Sequence, residues 1–147
     1  MKDRLDEFLG MDGILEVTVL NRKGTKSHSV MKNTIVTAGK NWEAAYLGDS
    51  PPANMGWIAV GTGTTAADVA DTALETELDR NTATRAVALN VISYSGLFTA
   101  GEATGAITEY GLLNASSGGT MFSRSVQSVK NVGASDSLQV VWHQTKG

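Results

Sequence analysis

The sequence predicts a mainly β protein, an antiparallel β-sandwich or barrel-like domain with one or two short helices and an N-terminal arm and hairpin. Three observations predict it. Apolar and polar residues alternate with a period of two, turn residues separate these runs at close spacing, and the chain has 16 glycines but only 2 prolines. Its 147 residues suffice for one domain with a single hydrophobic core.

Residues 1–32 predict an arm followed by a β-hairpin. Residues 2–9 have the spacing of an amphipathic helix, which is too short to be stable alone and therefore has to dock on a neighbouring surface. Residues 14–20 predict a strand whose odd-numbered residues form the apolar face, and residues 25–31 return beside it. Residues 33–147 are expected to form the main β domain, within one globular unit overall.

The main domain is predicted to begin with helices and to continue with strands. Thr37 is the expected cap of a helix over residues 38–47, and a capping-box spacing predicts a shorter helix over residues 73–79. Between them, residues 57–60 predict a short, apolar, central strand. The strands predicted in the second half are residues 84–95, 96–103, 107–113, 120–126 and 138–143.

Charge and composition argue against several classes of function. The net charge is −3 and the basic residues are scattered, so nucleic acid is not an expected partner. The chain has no cysteine, which excludes disulfides and thiolate chemistry. The apolar stretches are shorter than the roughly 20 residues of a membrane span, and the first ten residues carry acidic groups where a signal peptide is apolar. We therefore expect neither a membrane partner nor a leader.

The segment Gly61–Thr65 follows a predicted strand and has the letters of a dinucleotide-binding loop. Glycines there would let the backbone approach a pyrophosphate, but that chemistry requires a βαβ unit and a parallel sheet. The tight turns between the later strands indicate antiparallel pairing, which favours a simple turn after a buried strand. A small-ligand-binding domain built on this loop is the alternative from another functional class.

Side chains that carry chemistry show no convergent spacing in the sequence. His28 and His143 each lack a second histidine or a carboxylate at ligand spacing. The acidic residues between Asp68 and Asp79 fit no calcium loop, because no glycine occupies the sharp-turn position. We therefore expect no enzymatic activity, no cofactor and no bound metal.

Large apolar and aromatic side chains are instead the candidate functional residues, because such residues anchor both cores and protein interfaces. Trp57 suits a core position best, whereas Trp142, on the last strand, suits an interface. The full set of predicted interface residues is Leu5, Phe8, Leu9, Tyr46, Met55, Trp57, Phe98, Tyr110, Phe122 and Trp142.

Short stretches of the main domain, rich in glycine and threonine, carry a family resemblance. They are residues 33–39 (NTIVTAG), 58–65 (IAVGTGTT), 74–80 (LETELDR), 107–114 (ITEYGLLN) and 119–124 (GTMFSR). In this order they resemble small structural proteins of tailed bacteriophages. They are similar to the N-terminal domains that attach tail fibres to the baseplates of contractile-tailed phages. The opening hairpin together with residues 33–39 also resembles accessory capsid or tail proteins of other phages. The resemblance covers about residues 33–142 and does not imply catalysis.

The resemblance implies a structural protein of a phage virion, assembled in the host bacterial cytoplasm and working through protein–protein contacts. A capsid decoration (cement) protein is favoured, because a fibre would continue past Gly147 into a shaft. A tail, collar or baseplate subunit that attaches fibres is the alternative. Both imply a homo-oligomer, with a trimer expected from the threefold symmetry of capsid sites and fibres, and with major capsid, tail or baseplate proteins as further partners. A decoration protein that binds only the expanded shell would stabilise it by mass action.

Overall fold

Alternating apolar and polar residues form nine antiparallel strands in the computed structural model, which describes residues 11–146. The strands are β1 (Met11–Asn21), β2 (Gly24–Lys32), β3 (Thr34–Ile35), β4 (Trp57–Gly61), β5 (Glu77–Ala88), β6 (Val91–Phe98), β7 (Gly105–Leu113), β8 (Met121–Val132) and β9 (Ser137–Lys146). Helix α1 (Thr37–Leu47) connects β3 to β4. The sheet order is β2-β1-β9-β6-β5-β4-β7-β8-β3. The predicted mainly β, antiparallel fold is confirmed.

The sheet curves into a nearly closed barrel. The first half of β5 pairs with β4 and its second half with β6, so this strand turns the corner of the sheet. At the seam, β2 lies against β8: Lys26 Nζ donates to the carbonyl of Asn131 and to Asp136 Oδ2, and Ser29 Oγ donates to Gln127 Oε1. The short strand β3 pairs directly with β8. Side chains thus continue the closure where the backbone ladder stops.

The contribution of this seam to stability is expected to fall in acid. A hydrogen bond from Lys26 and the backbone N–H of Gly133 lower the pKa of Asp136 below its usual value. A carboxyl whose pKa is lower in the folded state stabilises that state above its unfolded pKa, about 3.9, and the effect is lost as pH falls through the folded pKa. The difference in Tm between wild type and Asp136→Asn should therefore shrink below about pH 4.

Thermal unfolding followed by circular dichroism between pH 7 and pH 2.5 measures this difference. Asp49→Asn, which changes an exposed carboxylate in the loop after α1, is the control and should show no such pH-dependent gap. A gap for Asp136→Asn that stays constant to the lowest pH would contradict the role of this carboxylate in the seam.

Inward-facing apolar side chains of the long strands fill the barrel. As the alternation predicts, β1 contributes Leu15, Val17 and Val19. The rest of this core is Met55, Ile58, Val60, Tyr94, Phe98, Ala103, Ile107, Tyr110, Leu112, Phe122, Val132, Leu138, Val140 and Trp142. Complete burial of a valine-to-phenylalanine-sized side chain stabilises the fold by about 1.5–3 kcal/mol relative to its exposure.

Residues 62–76 form an irregular loop between β4 and β5 that covers the outer face of β4, β7 and β8; we call it the strap. A second apolar cluster lies beneath it, formed by Val36, Ala59, Leu74, Leu113 and Met121. Gly111 lets the strap come close, because a Cβ at this position would lie 3.0 Å from Leu74 Cδ2. This part of the sheet is therefore buried on both faces.

The predicted helix over residues 73–79 is wrong. The chain stays irregular until β5 begins at Glu77. The N–H groups of Glu75 and Thr76 donate to the carboxylate of Glu109, on a distant part of the chain. This long-range acceptor replaces the carbonyls four residues back that a helix would use.

Two further predictions in this half need correction. Helix α1 is present, but Thr37 is its first residue, and Val36 occupies the cap position without a side-chain cap bond. The single strand predicted over residues 84–95 is a hairpin, in which β5 and β6 are joined by a turn at Leu89 and Asn90.

The strand predicted over residues 96–103 is also wrong, because β6 already ends at Phe98. The following turn is held by Glu102, whose carboxylate accepts the N–H of Thr99 at 2.7 Å. This bond and a second from the Thr99 hydroxyl lower the pKa of Glu102. Strands β8 and β9 extend past their predicted ends, since both find ladder partners there.

The N-terminal hairpin belongs to the same sheet as the rest of the protein. β1 pairs with β9 from Met11 to Leu20, so the boundary between residues 32 and 33 separates two strands of one barrel. The helix predicted over residues 2–9 lies outside the described residues. Within the described part of the chain, no helix has the length and apolarity needed to cross a membrane.

Candidate functional site

A buried ion pair joins Glu109 on β7 to Arg124 on β8. Glu109 is 0% exposed and Arg124 is 2% exposed. Glu109 Oε2 accepts from Nη2 of Arg124 at 2.9 Å and from its Nε at 3.2 Å. Such charge-assisted bonds are stronger than neutral ones. The ladder brings the two side chains together because Arg124 pairs with Gly111, two residues after Glu109 on the same face.

The Glu109 carboxylate also binds the backbone of the strap. Its Oε1 accepts the N–H groups of Gly63 at 3.0 Å and Thr76 at 2.7 Å, and its Oε2 accepts that of Glu75 at 2.9 Å. The hydroxyl of Thr108 donates to the carbonyl of Gly63 at 2.7 Å. Burial of a charge is costly unless it is paired and hydrogen-bonded, and these contacts meet that condition.

Arg124 holds the other side of the strap. Its Nη1 donates to Asp71 Oδ2 at 2.8 Å, and its Nη2 donates to the carbonyl of Thr65 at 3.1 Å. Burial alone would lower the pKa of Arg124, but the hydrogen bonds to Asp71 and Glu109 outweigh it and raise the pKa. The N–H of Thr65 donates to Glu75, which lowers the pKa of that exposed carboxyl. The strap is therefore fixed by charge at both of its ends.

The glycines of the Gly61–Thr65 segment are required by this packing. A Cβ at Gly61 would lie 2.2 Å from the carbonyl oxygen of Thr76, and one at Gly63 would lie 2.7 Å from Glu109 Oε1. The loop thus approaches an anion closely, as a nucleotide-binding loop does, but the anion is a carboxylate of the same chain. Because Gly63 already donates to Glu109, its N–H is not presented to a ligand.

Four of the five glycine- and threonine-rich stretches quoted above contribute to this centre. Glu109 lies in ITEYGLLN and Arg124 in GTMFSR, while the strap begins in IAVGTGTT and ends in LETELDR. The sequence interpretation missed the ion pair. The signal available in the sequence was one charged residue in each of the predicted strands 107–113 and 120–126, Glu109 and Arg124, among otherwise uncharged residues.

Half of the predicted interface residues lie in the core. Met55, Phe98, Tyr110, Phe122 and Trp142 are at most 5% exposed. They fill the barrel and offer no contact area to a partner, which corrects the interface prediction for these five. Tyr46 is exposed and Trp57 is half-buried, and both remain candidates. Leu5, Phe8 and Leu9 lie outside the described residues.

The two histidines lie on the outer face of the sheet and have separate partners. His28 on β2 shares a 2.8 Å hydrogen bond with Thr18. His143 on β9 shares one of 2.8 Å with Ser93, and its Nε2 lies 3.6 Å from Glu16. Among the residues the structure describes, no group of three or more histidine, aspartate or glutamate side chains is arranged to hold a metal ion.

Exposed apolar side chains occur at the end of α1 and on the β5–β6 hairpin, two elements that Lys146 contacts. The hairpin–helix patch consists of Tyr46, Leu47, Val87 and Leu89. Lys146 links its two parts: its ammonium pairs with Glu43 of α1, and its backbone N–H donates to the carbonyl of Asn90 at the hairpin tip. Apolar surface grouped in this way is typical of protein–protein contacts.

A scan against protein-family models and searches of curated proteins and of solved structures found no match to this chain. The candidate sites are therefore interpreted from their geometry and chemistry. Two features stand out: a charge centre whose partners belong to the chain itself, and an exposed apolar patch beside a strand edge.

Proposed function

We propose that this chain is a non-enzymatic structural protein of a tailed-phage virion that works through protein–protein contacts. The observation that carries the proposal is the contrast between its two candidate sites. The partners of Glu109 and Arg124 come from the chain's own strap, whereas the hairpin–helix patch exposes its apolar side chains. The resemblance of the strap and its two supporting strands to phage structural proteins supports a virion as the setting.

Capsid decoration is the role that we favour. The nearly closed barrel is a stiff body, because its interior is filled and its seam is bridged by side chains. Such a body, present in many copies and bound to itself and to the major capsid protein, would stabilise the expanded shell by mass action. At a free concentration of 100 times its Kd, the protein would add about 2.7 kcal/mol per binding site to the stability of the shell. A tail, collar or baseplate subunit would use the same kind of contacts in fewer copies.

Quantitative mass spectrometry of density-gradient-purified particles tests the proposal. The chain should sediment with the particles and resist a high-salt wash that removes adsorbed host proteins. Roughly hundreds of copies per particle would place it on the capsid, and about a dozen or fewer would place it in the tail, collar or baseplate, as expected from the symmetry of these sites. Presence in the soluble fraction alone would overturn the virion role.

A nucleotide panel tests the alternative function, in which Gly61–Thr65 binds a small ligand. We expect ATP, GTP, NAD and NADP to leave the Tm of the protein unchanged, because Glu109 already occupies the Gly63 amide. Differential scanning fluorimetry measures this, with sodium phosphate at the same ionic strength as the control. A saturable rise in Tm with one nucleotide would contradict the proposal, since a ligand that binds only the folded state stabilises it.

A further inference from the structure

The second half of β5 has an unpaired edge. Residues 83–88 pair with β6 on one side, whereas β4 pairs only with the first half of the strand. The side chains of residues 84–90 are all exposed. Such an edge presents free N–H and C=O groups to another strand, and proteins that avoid this pairing protect the edge with lysine, proline or a bulge.

Ladder geometry identifies the free backbone groups. In a hairpin with a two-residue turn, the flanking residues, here Ala88 and Val91, exchange hydrogen bonds, and such pairs recur at every second residue. The intervening residues Arg85 and Val87 therefore direct their N–H and C=O groups away from β6, toward the open side.

A hydrogen bond at the corner of the sheet follows the same alternation of backbone directions. Ala83, two residues before Arg85, donates its N–H to the carbonyl of Gly56 at 2.8 Å, on the β4 side. Arg85 and Val87 direct their backbone groups to the same side as Ala83, but they lie past the end of β4. Within residues 11–146, their outward groups have no backbone partner.

The edge strand β2 and the open half of β5 differ in their protection. On the β2 side, Lys26 reaches across to the carbonyl of Asn131 and to Asp136. On the β5 side, Arg85 is the only charged residue after Arg80 on that strand, and β6 has none. The open half of β5 therefore carries a single charge, Arg85, and has no lysine, proline or bulge that would prevent pairing with another strand.

Leu89 at the hairpin tip combines an unfavourable backbone conformation with an exposed apolar side chain. Its φ is 54°, a left-handed conformation that costs a residue with a side chain about 1–2 kcal/mol. Its side chain is 99% exposed, so one chain gains no packing in return. Uncompensated strain together with apolar exposure points to a functional position.

We propose that two copies of this chain pair through their β5 edges, antiparallel, about a two-fold axis at Ala86. Arg85 then pairs with Val87 of the partner subunit, and Val87 with Arg85 of the partner subunit. These are the residues with free backbone groups, so the axis generates four new hydrogen bonds. The two Ala86 side chains face each other at a non-hydrogen-bonded position, where small residues allow the strands to approach closely.

Charge and strand length select this register. An axis at Arg85 would place two guanidinium groups opposite each other, which is destabilising. An axis at Val87 would pair Arg85 with Leu89, which already lies in the turn. Only the axis at Ala86 matches the free groups within the strand and separates the arginines.

The apolar patch enlarges the contact that this pairing makes. Two short edges are small compared with the roughly 1,200–2,000 Å² of a stable interface. Val87 and Leu89 lie on or beside the paired edge and are 66% and 99% exposed, so their apolar side chains are available to the second copy. The contact therefore combines backbone hydrogen bonds with apolar burial.

This inference deepens the proposed function and rests on it, because it names a second copy as a partner of a contact-forming protein. The two-fold pair replaces the trimer expected from the resemblance as the unit formed by the free protein. The two proposals fail separately: a monomer in solution would overturn the pair and leave the virion role standing. Absence from purified particles would overturn the virion role and leave the pair standing.

Sedimentation equilibrium between about 1 and 200 µM tests the pair. The wild-type protein should reach twice the 15.4 kDa mass of one chain. Val87→Pro removes only the outward N–H, which an edge strand tolerates. It should raise the dimer Kd at least tenfold, and Val87→Lys, which keeps the backbone, should do the same. Val129→Lys, a matched exposed valine on β8, should leave the Kd unchanged.

A cysteine cross-link tests the position of the two-fold axis. The chain has no cysteine, so Ala86→Cys introduces a single thiol that faces its symmetry mate at a distance that suits a disulfide. Mild oxidation should convert most of it to covalent dimer. Thr84→Cys, on the same face but away from the axis, should stay mainly monomeric. A monomeric wild type, unchanged dimerisation in both Val87 variants, or equal cross-linking of the two cysteine variants would each overturn the proposal.

Discussion

Replacement of Arg124 by leucine is expected to destabilise the fold by about 3–5 kcal/mol, because it leaves Glu109 as an unpaired buried charge. The two side chains are nearly inaccessible to water, so solvent does not take the place of the guanidinium. For a chain of roughly this length, 1 kcal/mol corresponds to a change in Tm of about 2–4 °C. Thermal unfolding at pH 7 should therefore show a fall in Tm on the order of 10 °C.

The matched control for this prediction is an ion pair whose carboxylate is partly exposed. Glu77 pairs with Arg80 at 2.7 Å on β5 and is partly exposed. Glu77→Gln should cost less than about 1 kcal/mol, because its carboxylate is partly exposed to screening by water and Arg80 keeps its bonds to the carbonyls of Ala115 and Gly118. If the Arg124 variant loses no more stability than the Glu77 variant, the buried pair does not hold the strap.

Gly61→Ala is expected to be the second most damaging of these substitutions, with a loss of about 3 kcal/mol, at the upper end for added methyl groups in a packed region. The new Cβ would lie 2.2 Å from the carbonyl oxygen of Thr76, a backbone atom that moves only if the strap moves. Urea unfolding measures the free energy, and limited proteolysis adds a local measure, since a displaced strap should be cut faster.

Gly56→Ala makes the same chemical change at the residue immediately before β4, where no atom lies within 4 Å of the new Cβ. Its stability should stay within about 0.5 kcal/mol of the wild type. Equal stability of the Gly61 and Gly56 variants would show that the strap tolerates a side chain there and would contradict the close packing described above.

Strand identity was predictable where the signal is local. The alternation in β1 places Leu15, Val17 and Val19 in the core, as predicted, because successive side chains of a strand always point to opposite faces. The apolar β4 segment is central, as predicted, because it pairs with β5 and β7. The fold class follows from many such local patterns and does not depend on any one of them.

Errors arose where a distant residue overrides a local signal. The capping-box spacing of Thr72 and Glu75 predicted a helix, but Glu109, 34 residues after Glu75, takes the N–H groups that a helix would use. The hairpin turn at Leu89 was missed because leucine is not a turn residue and adopts a positive φ here. Neither outcome is visible without the sheet order.

The interface prediction failed in part because aromatic residues serve cores and interfaces alike. Trp142 lies on the last strand of the chain, and this position suggested an interface role. In the sheet, β9 lies between β1 and β6, so its inward face is fully covered. Chain order does not determine strand order, and the exposed apolar residues of the hairpin, Val87 and Leu89, had no distinguishing signal in the sequence.

Hydrogen exchange of the chain in purified particles, compared with the free protein, tests the central claim most directly. We predict added protection at exposed segments of the outer surface that meet virion proteins. The strap amides that already donate to Glu109 and Glu75 should exchange at the same rates in both states. A change confined to residues 62–76, with the outer surface unaltered, would contradict a function carried by surface contacts.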